Sequence, residues 1–120
     1  MGLWKIALMA GGNTIDAGYQ TWHDDGTELL NSGRPPITGS FCMGVWEKTG
    51  PRSYKLNHFA LAWLPSGLMP DGTDNIKMDV QVGRSGDTFS GTFTLDHYDV
   101  SGNAVAHFEG TVTATRITVD

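Results

Sequence analysis

The sequence predicts an all-β protein: one domain, residues 1–120, closed as a single eight-stranded antiparallel up-and-down β-barrel. Turn signals rich in Gly, Pro, Asn and Asp recur at short intervals, and Val, Thr, Phe, Trp and Tyr are frequent between them. In the second half of the chain, apolar and polar residues alternate with a period of two. A sheet of eight strands with one apolar face and no covering helix must close or stack to bury that face.

The strands are expected to follow one another through short loops. A two-sheet sandwich is the main alternative, and the uninterrupted order of the strands favours the barrel. The boundaries that the turn signals predict are 3–9, 17–23, 27–31, 40–47, 53–64, 75–83, 88–98 and 104–118.

The apolar start of the chain, Leu3 to Ala10, is interrupted by Lys5 and is too short to span a bilayer. We therefore interpret it as the first strand and expect no membrane span. A basic leader and a full apolar run, which a signal peptide needs, are both missing. Localisation stays open: secreted or periplasmic if a signal peptide has been removed, and otherwise cytoplasmic.

The second, third and fourth strands are bounded by clear turns, but their pattern does not fix which residues face inward. The fifth strand is apolar on both faces over its second half. If His58 and its alternate neighbours point inward, then Phe59, Leu61 and Trp63 form an outward patch. Such a patch is typical of a homo-oligomer interface. The alternative is that a loop or terminal segment covers it.

The last three strands alternate clearly enough to assign faces. Ile76, Met78, Val80 and Val82 share the apolar face of the sixth strand. The inward set of the seventh strand carries Phe89, Phe93 and His97. In the eighth strand Phe108 is inward, and the same parity puts His107 outside.

Charge and cysteine content exclude some classes of function. The net charge is −5 and the eight Lys and Arg residues are scattered, so no basic stripe exists to neutralise phosphates, and nucleic acid is not an expected partner. Cys42 is the only cysteine, so no intrachain disulfide can form. We interpret Cys42 as a small core residue.

Gly2-Leu3-Trp4 at the start of the first strand resembles the Gly-x-Trp signature of the lipocalin and calycin families. Arg116, near the end of the last strand, resembles the arginine that packs across that tryptophan in those families. The resemblance implies a structural contact between Trp4 and Arg116 where the barrel closes, because a guanidinium gains cation–π attraction over an indole. Gly44-Val45-Trp46 is a second copy of the short motif.

Longer stretches, at 44–54, 86–93 and 110–117, are similar to small bacterial lipocalin-like proteins. This resemblance covers about residues 20 to 119 and implies the fold without an activity. Allene-oxide-cyclase-like and spirotetronate-cyclase-like barrels share the architecture, so an enzymatic role follows only by analogy.

No sequence motif with a defined mechanism is present: no Walker loop, no His-Glu-x-x-His, no Gly-x-Ser-x-Gly and no Cys-x-x-Cys. The candidate catalytic residues are the inward His58 and His97. A neutral histidine in an apolar barrel donates from one ring nitrogen and accepts at the other, which suits a general acid/base. It equally suits a ligand contact or a structural hydrogen bond. Without a His-x-His spacing, we expect no metal site, and we expect no cofactor.

The sequence thus favours a binding module that takes a small, largely apolar or aromatic molecule into the barrel lumen. An isomerase, cyclase or lyase that uses an inward histidine is the alternative, and a structural or oligomeric barrel without a ligand is a third. The free volume and polarity of the lumen distinguish them. The expected ligand-binding residues are Trp46, Tyr54, Met78, Phe89, Phe93 and Phe108, oriented by His58 and His97.

Overall fold

The computed structural model describes residues 1–120 and confirms the closed eight-stranded antiparallel barrel. Each strand pairs with its neighbour in sequence, and β8 pairs with β1 to close the sheet. The only helical segment is a 3-10 turn at Pro36–Thr38, and it is too short to cross a membrane. The strands are β1 Gly2–Ala10, β2 Asn13–Trp22, β3 Thr27–Ser32, β4 Phe41–Lys48, β5 Ser53–Trp63, β6 Pro70–Val82, β7 Thr88–Tyr98 and β8 Ala104–Arg116.

Two strands begin four or five residues earlier than the sequence predicts, β2 and β6. β2 starts at Asn13 because Gly11 and Gly12, with φ of 59° and 80°, make a two-residue turn that leaves no room for a longer loop. β6 starts at Pro70, which pairs with Trp63 after a bulge in β5. A proline is tolerated at the first position of a strand, since its missing N–H breaks no inner ladder bond.

The two ends of the barrel differ. Because the strands alternate in direction, the loops at 23–26, 49–52 and 83–87 lie at one end with both chain termini. We call this the closed end. The loops at 11–12, 33–40, 64–69 and 99–103 surround the other end, which we call the open end.

An aromatic cluster fills the closed end. Neighbouring rings in it lie 4.9–5.9 Å apart between centroids, the spacing of favourable aromatic pairs. We call these residues the aromatic plug; they are Trp4, Trp22, Trp46, Tyr54 and Phe89.

The predicted contact between Trp4 and Arg116 is confirmed. The guanidinium carbon lies 4.2 Å from the centroid of the Trp4 ring, and the same side chain donates hydrogen bonds to Gly86 O and Met1 O. The glycine of the motif has a steric reason: a Cβ at Gly2, where φ is 114°, would collide with the guanidinium. Arg116 therefore ties both chain ends to the plug.

The alternation predicted for the second half of the chain is also confirmed. β5 buries Leu56, His58, Ala60 and Ala62, while Phe59 faces outward. Alternate residues of β6 and β7 point into the same core. The inward and outward faces were therefore assigned correctly from the period of two.

The predicted outward patch is exposed on the barrel wall. Phe59, Leu61 and Trp63 are 48%, 71% and 40% exposed. Met43 of β4, which pairs with Phe59 of β5, is also exposed and extends the same surface. No loop or terminal segment of the chain covers them. A subunit interface at this surface stays a prediction.

His107 lies on the outer wall, as parity predicts, between two carboxylates. Hydrogen bonds to Asp96 and Glu109, at 2.6 and 3.1 Å, raise the pKa of His107 above its ordinary value of 6.5. A raised folded-state pKa means that the protonated form stabilises the fold, fully below the unfolded pKa and not at all above the folded one.

We therefore expect His107→Gln to lower the unfolding midpoint near pH 5 and to leave it nearly unchanged near pH 9. Thermal unfolding of both proteins across this range checks the prediction. A midpoint difference that does not change with pH would contradict it.

Candidate functional site

The barrel interior forms a cup at the open end. The inward side chains there are mostly small or apolar and leave a cavity of about 430 Å³, within the range of about 300–1,000 Å³ that is usual for ligand pockets. The aromatic plug lies beyond it, towards the closed end. The apolar residues that line the cup are Leu8, Ile15, Leu30, Cys42, Ala60, Ala62, Trp63, Ile76, Leu95, Ala106 and Phe108.

The rim of the cup is polar and centres on Asp74. One of its oxygens lies 3.3 Å from the Arg34 guanidinium, and the other lies 2.5 Å from Nδ1 of His97. The second ring nitrogen of His97 is 3.6 Å from Asp71. Asp16 also lines the rim and accepts a hydrogen bond from Ser32 at 2.6 Å. Carboxylates thus outnumber the one permanent cation.

The floor of the cup is His58, which is fully buried and faces Glu28. Nδ1 of His58 lies 2.8 Å from Oε1 of Glu28, and both side chains have no exposed surface. The distance is that of an ion pair, and the alignment falls short of a hydrogen bond. Gly44 lies between them on β4, paired with both residues. A Cβ there would come within 2.5 Å of His58, so the glycine lets the two side chains meet.

Two further polar residues continue this contact into the core. The Trp22 indole N–H donates to Oε1 of Gln20 at 3.0 Å, and Nε2 of Gln20 donates to Oε2 of Glu28 at 2.9 Å. An indole N–H is only a donor, so it fixes the orientation of the Gln20 amide. Oε2 of Glu28 is consequently an acceptor. The polar chain runs from Trp22 through Gln20 and Glu28 to His58.

This series of polar side chains ends at a ring nitrogen that has no hydrogen-bond partner. Nε2 of His58 is buried and makes no hydrogen bond to any atom of the protein. Buried polar atoms are almost always paired, because an unpaired one carries its full desolvation penalty. An unpaired nitrogen on a side chain that lines a cavity therefore marks a point where a bound molecule can be recognised.

The structure separates the predicted site residues into those that line the cup and those that do not. His58, His97 and Phe108 line the cup. Trp46, Tyr54 and Phe89 lie in the aromatic plug, and Met78 and Phe93 are buried in the core. The two histidines lie at different depths: His58 pairs with Ile76, whereas His97 pairs with Asp74, two residues nearer the open end.

Sequence reasoning missed Glu28 and Gln20. A polar residue at an alternate strand position is normally predicted to face solvent, and in β2 the apolar Tyr19 is the outward, exposed residue beside the buried Gln20. One signal was available. The short turn after Trp22 sets that residue opposite Glu28, so an inward Trp22 makes Gln20 and Glu28 inward too.

Cys42 is a wall residue of the cup. Burial, and then the nearby charges of Glu28, Asp16 and Asp74, raise the pKa of its thiol to about 12. The thiol is therefore neutral at ordinary pH, and it lacks the thiolate character of a nucleophile.

A second depression of about 690 Å³ crosses the outer wall over β1, β7 and β8. It is shallower than the cup, and its lining contains no histidine, cysteine or carboxylate. The titratable groups therefore point to the cup as the candidate site.

Comparison of the chain with protein-family models, with curated proteins and with solved structures gave no match.

Proposed function

We propose that the protein binds one small, largely apolar molecule in the cup, as a lipocalin-like carrier or binder. The observation that carries the proposal is the buried Nε2 of His58, unpaired at the floor of an apolar cup of about 430 Å³. A barrel with a purely structural role has no need of such a cavity, since interiors are normally close-packed.

In this proposal the residues divide their tasks by depth. His58 orients the ligand at the floor, and His97 faces its outer end. Phe108 is 52% exposed at the open end, and a bound apolar molecule would cover its ring. The aromatic plug, with Met78 and Phe93, supports the floor from below.

The lipocalin-like assignment is part of the proposal. It is supported by the closed eight-stranded order and by Arg116 over Trp4 at the closed end. Both features close the barrel, and neither indicates which ligand the cup binds.

Filling the cup tests the proposal. Ala60→Phe adds a ring to the cup wall, and Thr92→Phe adds the same ring to an exposed position on the outer wall. With the neutral fluorescent probe N-phenyl-1-naphthylamine, we expect Ala60→Phe to weaken binding at least about tenfold, because the ring takes the ligand's volume. Thr92→Phe should bind like the wild type.

Equal probe affinity in all three proteins would contradict the proposal. Native mass spectrometry of protein purified from its own source is an independent check, since it reports whether a small molecule copurifies. Far-UV circular dichroism establishes that both variants keep the fold.

A proton-transferring enzyme of the isomerase, cyclase or lyase type is the second candidate. It is favoured by the contact between Asp74 and His97, because a carboxylate that orients an imidazole is a recurrent arrangement for general bases. Exchange of the α-protons of a small ketone with deuterated solvent, followed by NMR, tests it. Loss of exchange in His97→Ala or His58→Ala with binding retained would support this candidate, and no exchange above buffer would exclude this reaction.

A further inference from the structure

The Glu28 carboxyl and the His58 imidazole can hold their protons in only a few arrangements. If both groups are charged, the imidazolium carries protons on Nδ1 and Nε2. If both are neutral, the acid proton is on Oε1 and faces Nδ1, because Oε2 already accepts from the Gln20 amide; the ring proton is then on Nε2. Only a charged Glu28 beside a neutral histidine would leave Nε2 as an acceptor, and that pair has a net charge of −1.

Burial decides between these states. Glu28 and His58 have no exposed side-chain surface, and the neighbouring polar group, the Gln20 amide, carries no charge. A net charge buried without a counter-charge is strongly disfavoured, whereas a pair that is neutral overall is not. Both neutral pairs carry a proton on Nε2. His58, which lines the cup, therefore carries an N–H donor that has no acceptor within the protein.

The rim narrows the class of acceptor. Asp16, Asp71 and Asp74 line it, against Arg34 and His97. Asp74 already contacts both of these basic side chains. The protein as a whole carries a net charge of −5. An anionic ligand would have to pass this acidic rim and give up its hydration inside an apolar wall, so an uncharged acceptor fits better.

We infer that the ligand is a neutral carbonyl compound with an apolar body, a ketone or aldehyde, whose oxygen accepts a hydrogen bond from Nε2–H of His58. This inference rests on the proposed function and adds the polar half of the ligand. Glu28 acts as a positioning residue, because it holds the proton arrangement without reaching the ligand itself.

Three ligands of the same size test the inference. Acetophenone carries the carbonyl, α-methylstyrene replaces the oxygen by a CH₂ group, and benzoate replaces the neutral carbonyl by a carboxylate. We expect the wild type to bind acetophenone about tenfold more tightly than α-methylstyrene, the difference that one net hydrogen bond makes, and to bind benzoate least. Isothermal titration or ligand-observed NMR gives the three affinities.

Two variants separate recognition from packing. Glu28→Leu/His58→Leu removes the donor and leaves no buried charge, so acetophenone and α-methylstyrene should bind it equally. Glu28→Gln still offers a donor to Nδ1, which keeps the proton on Nε2, and the ketone preference should persist. The infrared carbonyl stretch of bound acetophenone should lie at lower wavenumber in Glu28→Gln than in the double variant, which a purely structural role for the pair would not produce.

The outcomes separate this inference from the proposed function. Equal binding of acetophenone and α-methylstyrene by the wild type would overturn the carbonyl inference and leave the cup as a binding site. Tightest binding of benzoate would overturn the neutral class. Binding of none of the three, together with no binding of N-phenyl-1-naphthylamine, would overturn the proposed function itself.

Discussion

Replacing Glu28 by leucine is expected to lower the free energy of unfolding by about 3–5 kcal/mol, the usual cost of removing one partner from a buried pair. The change leaves Nδ1 of His58 without a partner, and it removes the acceptor for the Gln20 amide. Denaturation in guanidinium, followed by tryptophan fluorescence, measures the loss.

The matched double variant, Glu28→Leu/His58→Leu, should be more stable than Glu28→Leu alone. It removes the unpaired imidazole and leaves only the Gln20 amide without its acceptor, at a cost of about 1–3 kcal/mol. The single variant His58→Leu completes the cycle, and additive losses would mean that the two side chains are not coupled, which would contradict the shared protons of Glu28 and His58.

Replacing Trp4 by alanine should be similarly costly, about 3–5 kcal/mol, because a large buried ring is lost from a packed core. Trp4 is fully buried, lies 4.9 Å from Phe89 and 5.6 Å from Trp22 between ring centroids, and carries the Arg116 guanidinium on its face. The cavity would open at the point where β1 and β8 close the barrel. Guanidinium denaturation monitored by far-UV circular dichroism measures the change.

Trp4→Phe is the matched control for this position. It keeps an aromatic ring and removes an indole N–H that is buried without a partner, so its loss should be well below that of alanine. A loss under about 1 kcal/mol for Trp4→Ala would show that the plug does not hold the barrel closed.

The part of the fold that sequence predicts best is the part where alternation is cleanest. Apolar and polar residues alternate through the seven paired positions from Ile76 to Val82 in β6 and from Leu95 to Phe89 in β7, so Met78 and Phe93 could be assigned to the interior directly. In β5 the outward residues Phe59 and Leu61 are apolar too, and there the polar His58 is the one that is buried. The inward position of His58 was predicted correctly because His58 has the same parity as the apolar residues Leu56 and Ala60.

The candidate site was harder to predict because its residues break the pattern that predicts the fold. Gln20 donates a buried hydrogen bond to Glu28, a partnership that the pattern of a single strand cannot reveal. Their partner His58 is two strands away from Glu28 around the barrel, so only the three-dimensional register brings them together.

Depth along the barrel was the second missing quantity. Parity identifies an inward residue without saying whether it lies in the plug or in the cup. Trp46 and Phe108 were both predicted to contact the ligand, yet Trp46 stacks on Trp22 at the closed end and Phe108 lies at the open end. Which aromatic residues can touch a ligand is decided by this distribution of large and small side chains along the barrel axis.

A methyl NMR titration with acetophenone tests the central claim, that the cup is a ligand site. The account predicts saturable chemical-shift changes at the cup methyls of Leu8, Leu30 and Ile76, together with a change at the His58 ring. The chemical shifts of the outer-wall methyls of Leu3 and Leu61 should stay unchanged. Shifts confined to outer-wall methyls, or none at saturating ligand, would contradict it.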